Sequence, residues 1–346
     1  MYIQQITLIN HGLTDVVLHL NNDGDPLSGW VVITGDNGAG KSYLLRSIAQ
    51  CLYANTANCS SGNNSVGVCT DSRAVESHIA VLLCSVVEHI PSFPAVFYSL
   101  ENSAEIVAWL AYLQRKLDEQ RSTTQTEKQI ATLLQLLNDH YLPPAWHAAR
   151  LDEHGLWLGN AGGHFMLWTE AGNGIRSAMS LLLTILRAVF PVLEQGIDAK
   201  GFDVSAAAGI VLIDDIEMFL HPAWQRQIGF WLVAHFPHVQ FIVSTHSPLI
   251  CQAAQQIFVM SSAKLECATI YSLPARELSK IQTSRPDTIL RTTAFGLDNT
   301  RSPLAVAARA DYAKLQSRKA AGVTLSFEQC AREKQWLRFV ENGEDG

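Results

Sequence analysis

Apolar positions along the chain recur with two periods. Alternating or continuous apolar runs mark strands: "YIQQITLI" and "VVLHL" within the first 20 residues, "WVVIT", "AVFYSL", "GIVLID" and "QFIVST". The run "HIAVLLCSVVEHI" reads as buried strand, with helix as the other reading. Helical spacing takes over from Lys41. It returns in "AEIVAWLAYLQRKLDEQ" and "EKQIATLLQLLNDH", which "RSTTQT" separates, and in "IRSAMSLLLTILRAVF" and "PAWQRQIGFWLVAHF". "SPLAVAARADYAKLQ" and "SFEQCAREKQWLRFVE" add polar helices near the C-terminal end. Turn residues cluster in "NNDGDPLSG", the glycines of "GLWLGNAGGHFMLW" suggest a hairpin, and residues 54–72 lack a period and read as loop.

Strands alternating with helices predict an α/β fold around a mostly parallel, covered sheet. The pattern divides into an N-terminal lobe over 1–102, a helical insertion over 103–145, a second lobe over 146–275 and a helical appendage over 276–346. No internal repeat or low-complexity segment interrupts it.

One turn carries chemistry. Gly35-Asp36-Asn37-Gly38-Ala39-Gly40-Lys41-Ser42 lies between an apolar strand and a helix, the context that the GxxxxGK[ST] pattern requires. Glycines let successive N–H groups turn inward on a phosphate, and the helix N-terminus adds its positive dipole end. Lys41 supplies charge for the outer phosphates and Ser42 a ligand for Mg²⁺. A glycine-rich turn with a chance Lys-Ser is the bland alternative. The two intervening glycines and the correct flanks argue against it.

A nucleotide-bound Mg²⁺ needs an acid at the end of a neighbouring buried strand, and "GIVLID" ends in Asp214. The next residue, Asp215, is placed to orient or deprotonate an attacking water. Capping of the helix that "HPAWQR" opens is the competing use for such acids, and Glu217 suits it. A third strand, "QFIVST", is followed by His246, which by position alone is either a satisfied strand-end residue or a group that hydrogen-bonds a terminal phosphate.

Composition limits the rest. The 346 residues suffice for one large domain or two modest ones, and 48% hydrophobic with 16% charged residues is ordinary globular composition. A net charge of −7 argues against nucleic-acid binding by the whole surface, though not against a local basic groove. Seven cysteines without CxxC spacing read as buried reduced thiols in a reducing compartment. "AMSLLLTILRAVFPVL" is short for a membrane span and is interrupted by Arg187 and Pro191. The N-terminus lacks the form of a signal peptide. A cytoplasmic soluble protein is the expectation.

Taken together, "ITLIN", "VVITGDNGAGKSYLL", "GNGIRSAMSLLL", "GIVLIDDIEMFLHPAWQRQI" and "FPHVQFIVSTHSPLI" resemble the ABC-type ATPases of the RecF/SMC/OLD branch. Within it they look most like compact bacterial ATPases called "ATP-binding protein involved in virulence", a group that includes Septu (PtuA-like) and retron-associated anti-phage ATPases. The motifs run from about residue 1 to 260, and "LHPAWQR" and "STHSP" are the most specific strings. The resemblance implies a P-loop NTPase fold of the ABC head type, with ATP and Mg²⁺ sandwiched between two copies. Gly35, Asn37, Gly38, Ala39, Gly40, Lys41 and Ser42 would hold phosphate, with Ser42 and Asp214 on Mg²⁺. Asp215 would stand at the catalytic glutamate position, and His246 would be the switch histidine. The signature segment would be Ala171-Gly172-Asn173-Gly174-Ile175-Arg176-Ser177, bringing Gly172, Gly174 and Arg176 to the other copy's ATP.

Two departures from the family pattern stand out. Gly172 replaces the signature serine, and Asp215 replaces a glutamate, drawing the carboxylate back by one methylene. Displacements of about 1 Å can cost on the order of 10²-fold in rate, so hydrolysis is expected to suffer more than binding. No glutamine-loop residue stands in a matching context, and the basic residue relatives carry near "NHGL" is absent.

The implied function is an ATPase that dimerises through its heads, as a homodimer or higher even oligomer, and controls a partner effector in defence. That effector is expected to be a nuclease. The chain shows no HNH pattern and no acidic cluster outside these motifs, so nuclease activity, and any contact with nucleic acid, would come through the partner. A RecF-like repair ATPase acting directly on DNA is the alternative. It needs a basic groove, whereas Arg285, Arg291, Arg301, Arg309, Arg318 and Lys319 are scattered. A transporter subunit fits less well, because 40 residues separate Gly174 from Asp214. No membrane association is expected.

Overall fold

The computed structural model describes residues 3–10, 16–22, 25–26, 29–53, 58–61, 64–70, 80–85, 97–99, 103–118, 124–195, 203–218, 220–262 and 268–341. Trp30, Val31, Val32 and Ile33 form a strand buried at every position because both of its faces are covered. Alternate side chains feed two separate cores. Trp30 and Val32 join one with Val211, Ile213, Phe241 and Val243, while Val31 and Ile33 join the other with Ile210, Leu212 and Ile242.

Seven strands make this central sheet: β1 (Gly29–Gly35), β2 (Ala80–Ser85), β3 (Phe97–Ser99), β4 (Ala208–Ile213), β5 (His238–Ser244), β6 (Gln256–Ser262) and β7 (Ala268–Ser272). Their order is β7-β6-β1-β5-β4-β2-β3. Every neighbouring pair is parallel except β6–β7 at the edge. Helix α1 (Lys41–Tyr53) covers one face with Leu44, Leu45, Ile48 and Ala49. On the other face lies α4 (Asn173–Gln195), which follows the two insertion helices α2 (Ser103–Asp118) and α3 (Thr124–Asn138). The apolar part of α4 is longer than the sequence reading allowed. It runs Asn173–Pro191 and would suit a membrane by length and composition, but 61% of that window is buried.

Among the described residues three further sheets accompany the centre; the smallest is the two-residue ladder of Asn21–Asn22 with Asp25–Pro26, and two are larger. One is antiparallel, with strands in the order 16–19, 3–10, 64–70 and 58–61. Residues 54–72 are therefore not simply loop: Asn64–Thr70 pairs along Ile3–Asn10, and Asn58–Ser61 pairs with Asn64–Thr70. Long-range backbone pairing makes these strands, and polar composition does not report it. The other sheet comprises Trp146–Asp152, Gly155–Asn160 and Phe165–Leu167, two successive hairpins around the glycines. The helix read across "PAWQRQIGFWLVAHF" is two: α5 (Pro222–Gln225) and α6 (Ile228–His235).

Residues 1–295 form one compact unit and 296–346 a second. The second contains the helices Pro303–Ala320 and Phe327–Glu341. Ser302 caps the first through Ala305 N–H, and Glu333 accepts from Lys319 Nζ and Gln316 Nε2.

A buried amide joins the antiparallel sheet to the centre. Gln240 is fully buried in β5; its Oε1 accepts from Ile3 N–H at 2.8 Å and its Nε2 donates to Ile3 C=O at 3.0 Å. Gln240→Leu keeps the volume and orphans both backbone groups. It should lower stability by about 2 kcal/mol, read as a lower midpoint in urea.

Candidate phosphate and metal site

Parallel register brings the predicted residues together. Ile213 pairs with Val243 and Ser244 with Ile33, so β4, β5 and β1 end side by side, and Asp214, Ser244 and the loop after Gly35 share one edge. Ligands of such sheets bind outside the carboxyl ends of the strands.

The loop is shaped by close approach. A Cβ on Gly35 would lie 1.7 Å from Met260 O, and Asp36 N–H donates to that same carbonyl at 3.1 Å. Gly40 enters α1 at φ +94°, a conformation that L side chains rarely adopt. Asn37, Gly38 and Ala39 form the turn between them, with Ala39 buried. Lys41 folds back into the loop, where its Nζ donates to the carbonyls of Gly35 (3.0 Å) and Asp36 (2.8 Å). Burial depresses the Lys41 ammonium against the opposing pull of Asp215, Glu217, Asp214 and Asp36.

The acidic edge is tightly organised. Asp214 is buried, and its Oδ1 accepts from Ser42 Oγ at 3.0 Å and from Ser244 Oγ at 2.6 Å. Ser244 Oγ in turn accepts from Asp215 N–H at 2.8 Å. Asp215 has φ +48°. That region costs an ordinary residue roughly 1–2 kcal/mol, and Asp and Asn visit it more readily than longer side chains do. A backbone reason thus exists for aspartate here. Burial, then the charges of Asp214 and Glu217, hold the Asp215 carboxyl above its usual range, against His246 and Lys41.

Glu217 does not cap the following helix. His221 does so, its Nδ1 accepting from Ala223 N–H at 3.2 Å. Glu217 reaches across to β5: Oε2 accepts from Thr245 Oγ1 and Oε1 from His246 N–H, both at 2.6 Å. The His246 side chain stays exposed beside the acids. The segment Ala171–Ser177, expected from the sequence to be the signature, lies elsewhere in the same unit and opens α4. Ala171 is buried; Gly172, Asn173 and Arg176 are exposed, and Gly174 is half-buried. Arg176 N–H donates to Gly172 C=O and its Nη2 to Asn173 Oδ1.

These residues suit a nucleotide and a hard cation. The loop offers backbone N–H groups and Lys41, and Ser42 and Asp214 present oxygens to one point. Among the described residues no group of three or more His, Cys, Asp or Glu could hold a metal alone. Two protein oxygens plus substrate phosphates is the arrangement Mg²⁺ commonly takes. Ser244, Thr245 and Glu217 were not recognised as partners in the sequence, although "FIVST" ending level with "VLID" was the available signal.

Fold and site resemble those of ABC-type P-loop ATPases of the RecF/SMC/OLD branch. Residues 86–252 match the family AAA_21, described as "AAA domain, putative AbiEii toxin, Type IV TA system". The chain is 34% identical over 118 residues to Septu protein PtuA of Bacillus thuringiensis, covering 33% of this chain and 29% of that one. It is 60% identical over 42 residues to the Retron Vc95 probable ATPase of Vibrio cholerae (12% and 8%) and 45% identical over 58 residues to the Retron Ec83 probable ATPase of Escherichia coli (16% and 11%). The matches thus span under a third of those relatives' lengths. An SMC head bound to the C-winged helix domain of ScpA superposes over 81% of this chain and 100% of its own, with TM-score 0.49 and 14% identity.

Because the native Asp215 pKa lies above the unfolded value of 3.8, the ionised group costs stability once pH exceeds that value, in full only above the native pKa. Asp215→Asn also tolerates φ +48°. The nucleotide-free variant should melt higher than the parent at pH 8, and the gain should shrink to nothing as pH falls below about 4. Melting curves across pH check this.

Proposed function

We propose that this chain binds ATP with Mg²⁺, dimerises through its ATP-bound heads, hydrolyses slowly and thereby controls a partner effector in anti-phage defence. The observation that carries the ATPase part is the meeting of Ser42 and Asp214 beside Lys41 at the sheet edge. The defence part rests on similarity to Septu and retron ATPases. The proposed effector is a separate chain, a nuclease, and any nucleic-acid contact runs through it. The setting is cytoplasmic.

In this reading phosphate oxygens take over the Lys41 ammonium from the Gly35 and Asp36 carbonyls. Ser42 and Asp214 would hold Mg²⁺, which would neutralise charge on the outer phosphates. Asp215 orients a water and accepts its proton, and the raised pKa that burial gives this carboxyl strengthens it as a base. His246 donates to the terminal phosphate. The segment Ala171–Ser177 of the second copy closes the site with the N–H groups of its helix start. Gly172 brings no hydroxyl, and Asp215 holds its carboxylate one methylene short of a glutamate's. ATP is therefore bound well and cleaved slowly.

The missing groups can be restored. A Cβ on Gly172 meets nothing within 4 Å, so Gly172→Ser fits without displacement. Asp215→Glu extends the carboxylate but strains the backbone at φ +48°. The double variant should turn over at least about tenfold faster at unchanged ATP affinity while melting lower, and Lys41→Ala should lose ATP binding. A fast parent enzyme, or a double variant no faster than the parent, contradicts slow hydrolysis. Stoichiometric co-purification of a nuclease encoded beside this chain supports the effector; tight DNA binding by the chain alone contradicts it.

A further inference from the structure

We propose that Glu217 is the positioning residue that sets His246 against the terminal phosphate, and so decides how well ATP is told from ADP. This rests on the ATPase reading and names the device by which that site senses its ligand.

The three acids after β4 have separate partners. Asp214 faces Ser42 and Ser244. Asp215 faces Lys41 and His246. Glu217 instead places both carboxylate oxygens on the end of β5, one on the Thr245 hydroxyl and one on the His246 N–H, each at 2.6 Å. Bonds to a carboxylate at this length are charge-assisted and strong.

The contacts continue into a ring. Thr245 Oγ1 accepts from Ser247 N–H at 3.0 Å, Ser247 Oγ donates to Gln225 Oε1 at 2.7 Å, and Gln225 Nε2 reaches back to the carbonyls of Leu220 (2.8 Å) and Glu217 (3.5 Å). Thr245 N–H is also held by Ile33 C=O, next to the phosphate loop. The backbone around His246 is therefore fixed on both sides while its imidazole stays free to meet a ligand. A group whose only duty was to cap α5 would have no reason to cross to another strand, and α5 has its own cap.

Glutamine cannot replace this carboxylate fully. With Oε1 on His246 N–H, its Nε2 faces the Thr245 hydroxyl, whose proton must then turn elsewhere. Glu217→Gln should keep the backbone clamp and weaken the ring; Glu217→Ala should release both.

The test is equilibrium binding of ATP and of ADP, each with Mg²⁺, to the full chain. It compares the parent with Glu217→Ala, Glu217→Gln, His246→Ala and the Glu217→Ala/His246→Ala pair. Loss of one well-placed bond to the terminal phosphate should lower the ATP-to-ADP affinity ratio about tenfold in Glu217→Ala, with ADP affinity within about twofold of the parent. Glu217→Gln should lie between, and carries the test should the alanine variant fail to fold. The pair should match His246→Ala alone, because Glu217 acts through that histidine. An unchanged ratio, an equal loss of both nucleotides, or effects that multiply in the pair would overturn the proposal. A parent that binds neither nucleotide removes the ATPase reading itself, and this inference with it.

Discussion

Asp214 is the point on which the site turns. Its buried Oδ1 receives hydroxyls from α1 and from β5, so one oxygen ties the ends of β4 and β5 to the start of α1. That is possible only because β1, β5 and β4 are parallel, adjacent and level at their carboxyl ends. The two apolar cores keep them level. Each strand sends alternate residues to opposite faces, so slipping any strand by one residue would exchange its sides between α1 and α4.

The helix pair α2–α3 is tied into this frame through the residues that follow it. Asp139, just after α3, accepts from Trp231 Nε1 on α6 through its carbonyl, and its carboxylate meets His235 Nε2 at 2.9 Å. Two residues on, the Tyr141 carbonyl accepts from Trp224 Nε1 and its hydroxyl donates to Ala178 C=O in α4. The end of the insertion thus touches both the helices that follow the acidic edge and the helix that Ala171–Ser177 opens.

Much of this was legible in the sequence because its signals are local. The phosphate loop needs glycines at fixed spacing, the buried strands need unbroken apolar runs, and Asp214 and His246 directly follow such runs. What was hidden depends on partners far along the chain. The strands at 58–61 and 64–70 exist through pairing with Ile3–Asn10 and with one another, and β6 supplies the Met260 carbonyl that shapes the loop at Gly35. Glu217 looked like a helix cap because its neighbours in sequence form a helix start; its true partners, Thr245 and His246, are about 28 residues away, just after β5. Asp215 looked like a shortened glutamate, and only its backbone at φ +48° supplies a reason for aspartate.

ATP and its metal should occupy the edge where Ser42 meets Asp214. A crystal structure of the chain with ATP and Mn²⁺ in place of Mg²⁺ tests it most directly, because manganese is located by its anomalous scattering. The account predicts a manganese peak between Ser42 Oγ and Asp214, with Lys41 Nζ withdrawn from the Gly35 and Asp36 carbonyls onto phosphate. Nucleotide bound elsewhere, or a metal held away from Ser42 and Asp214, contradicts it.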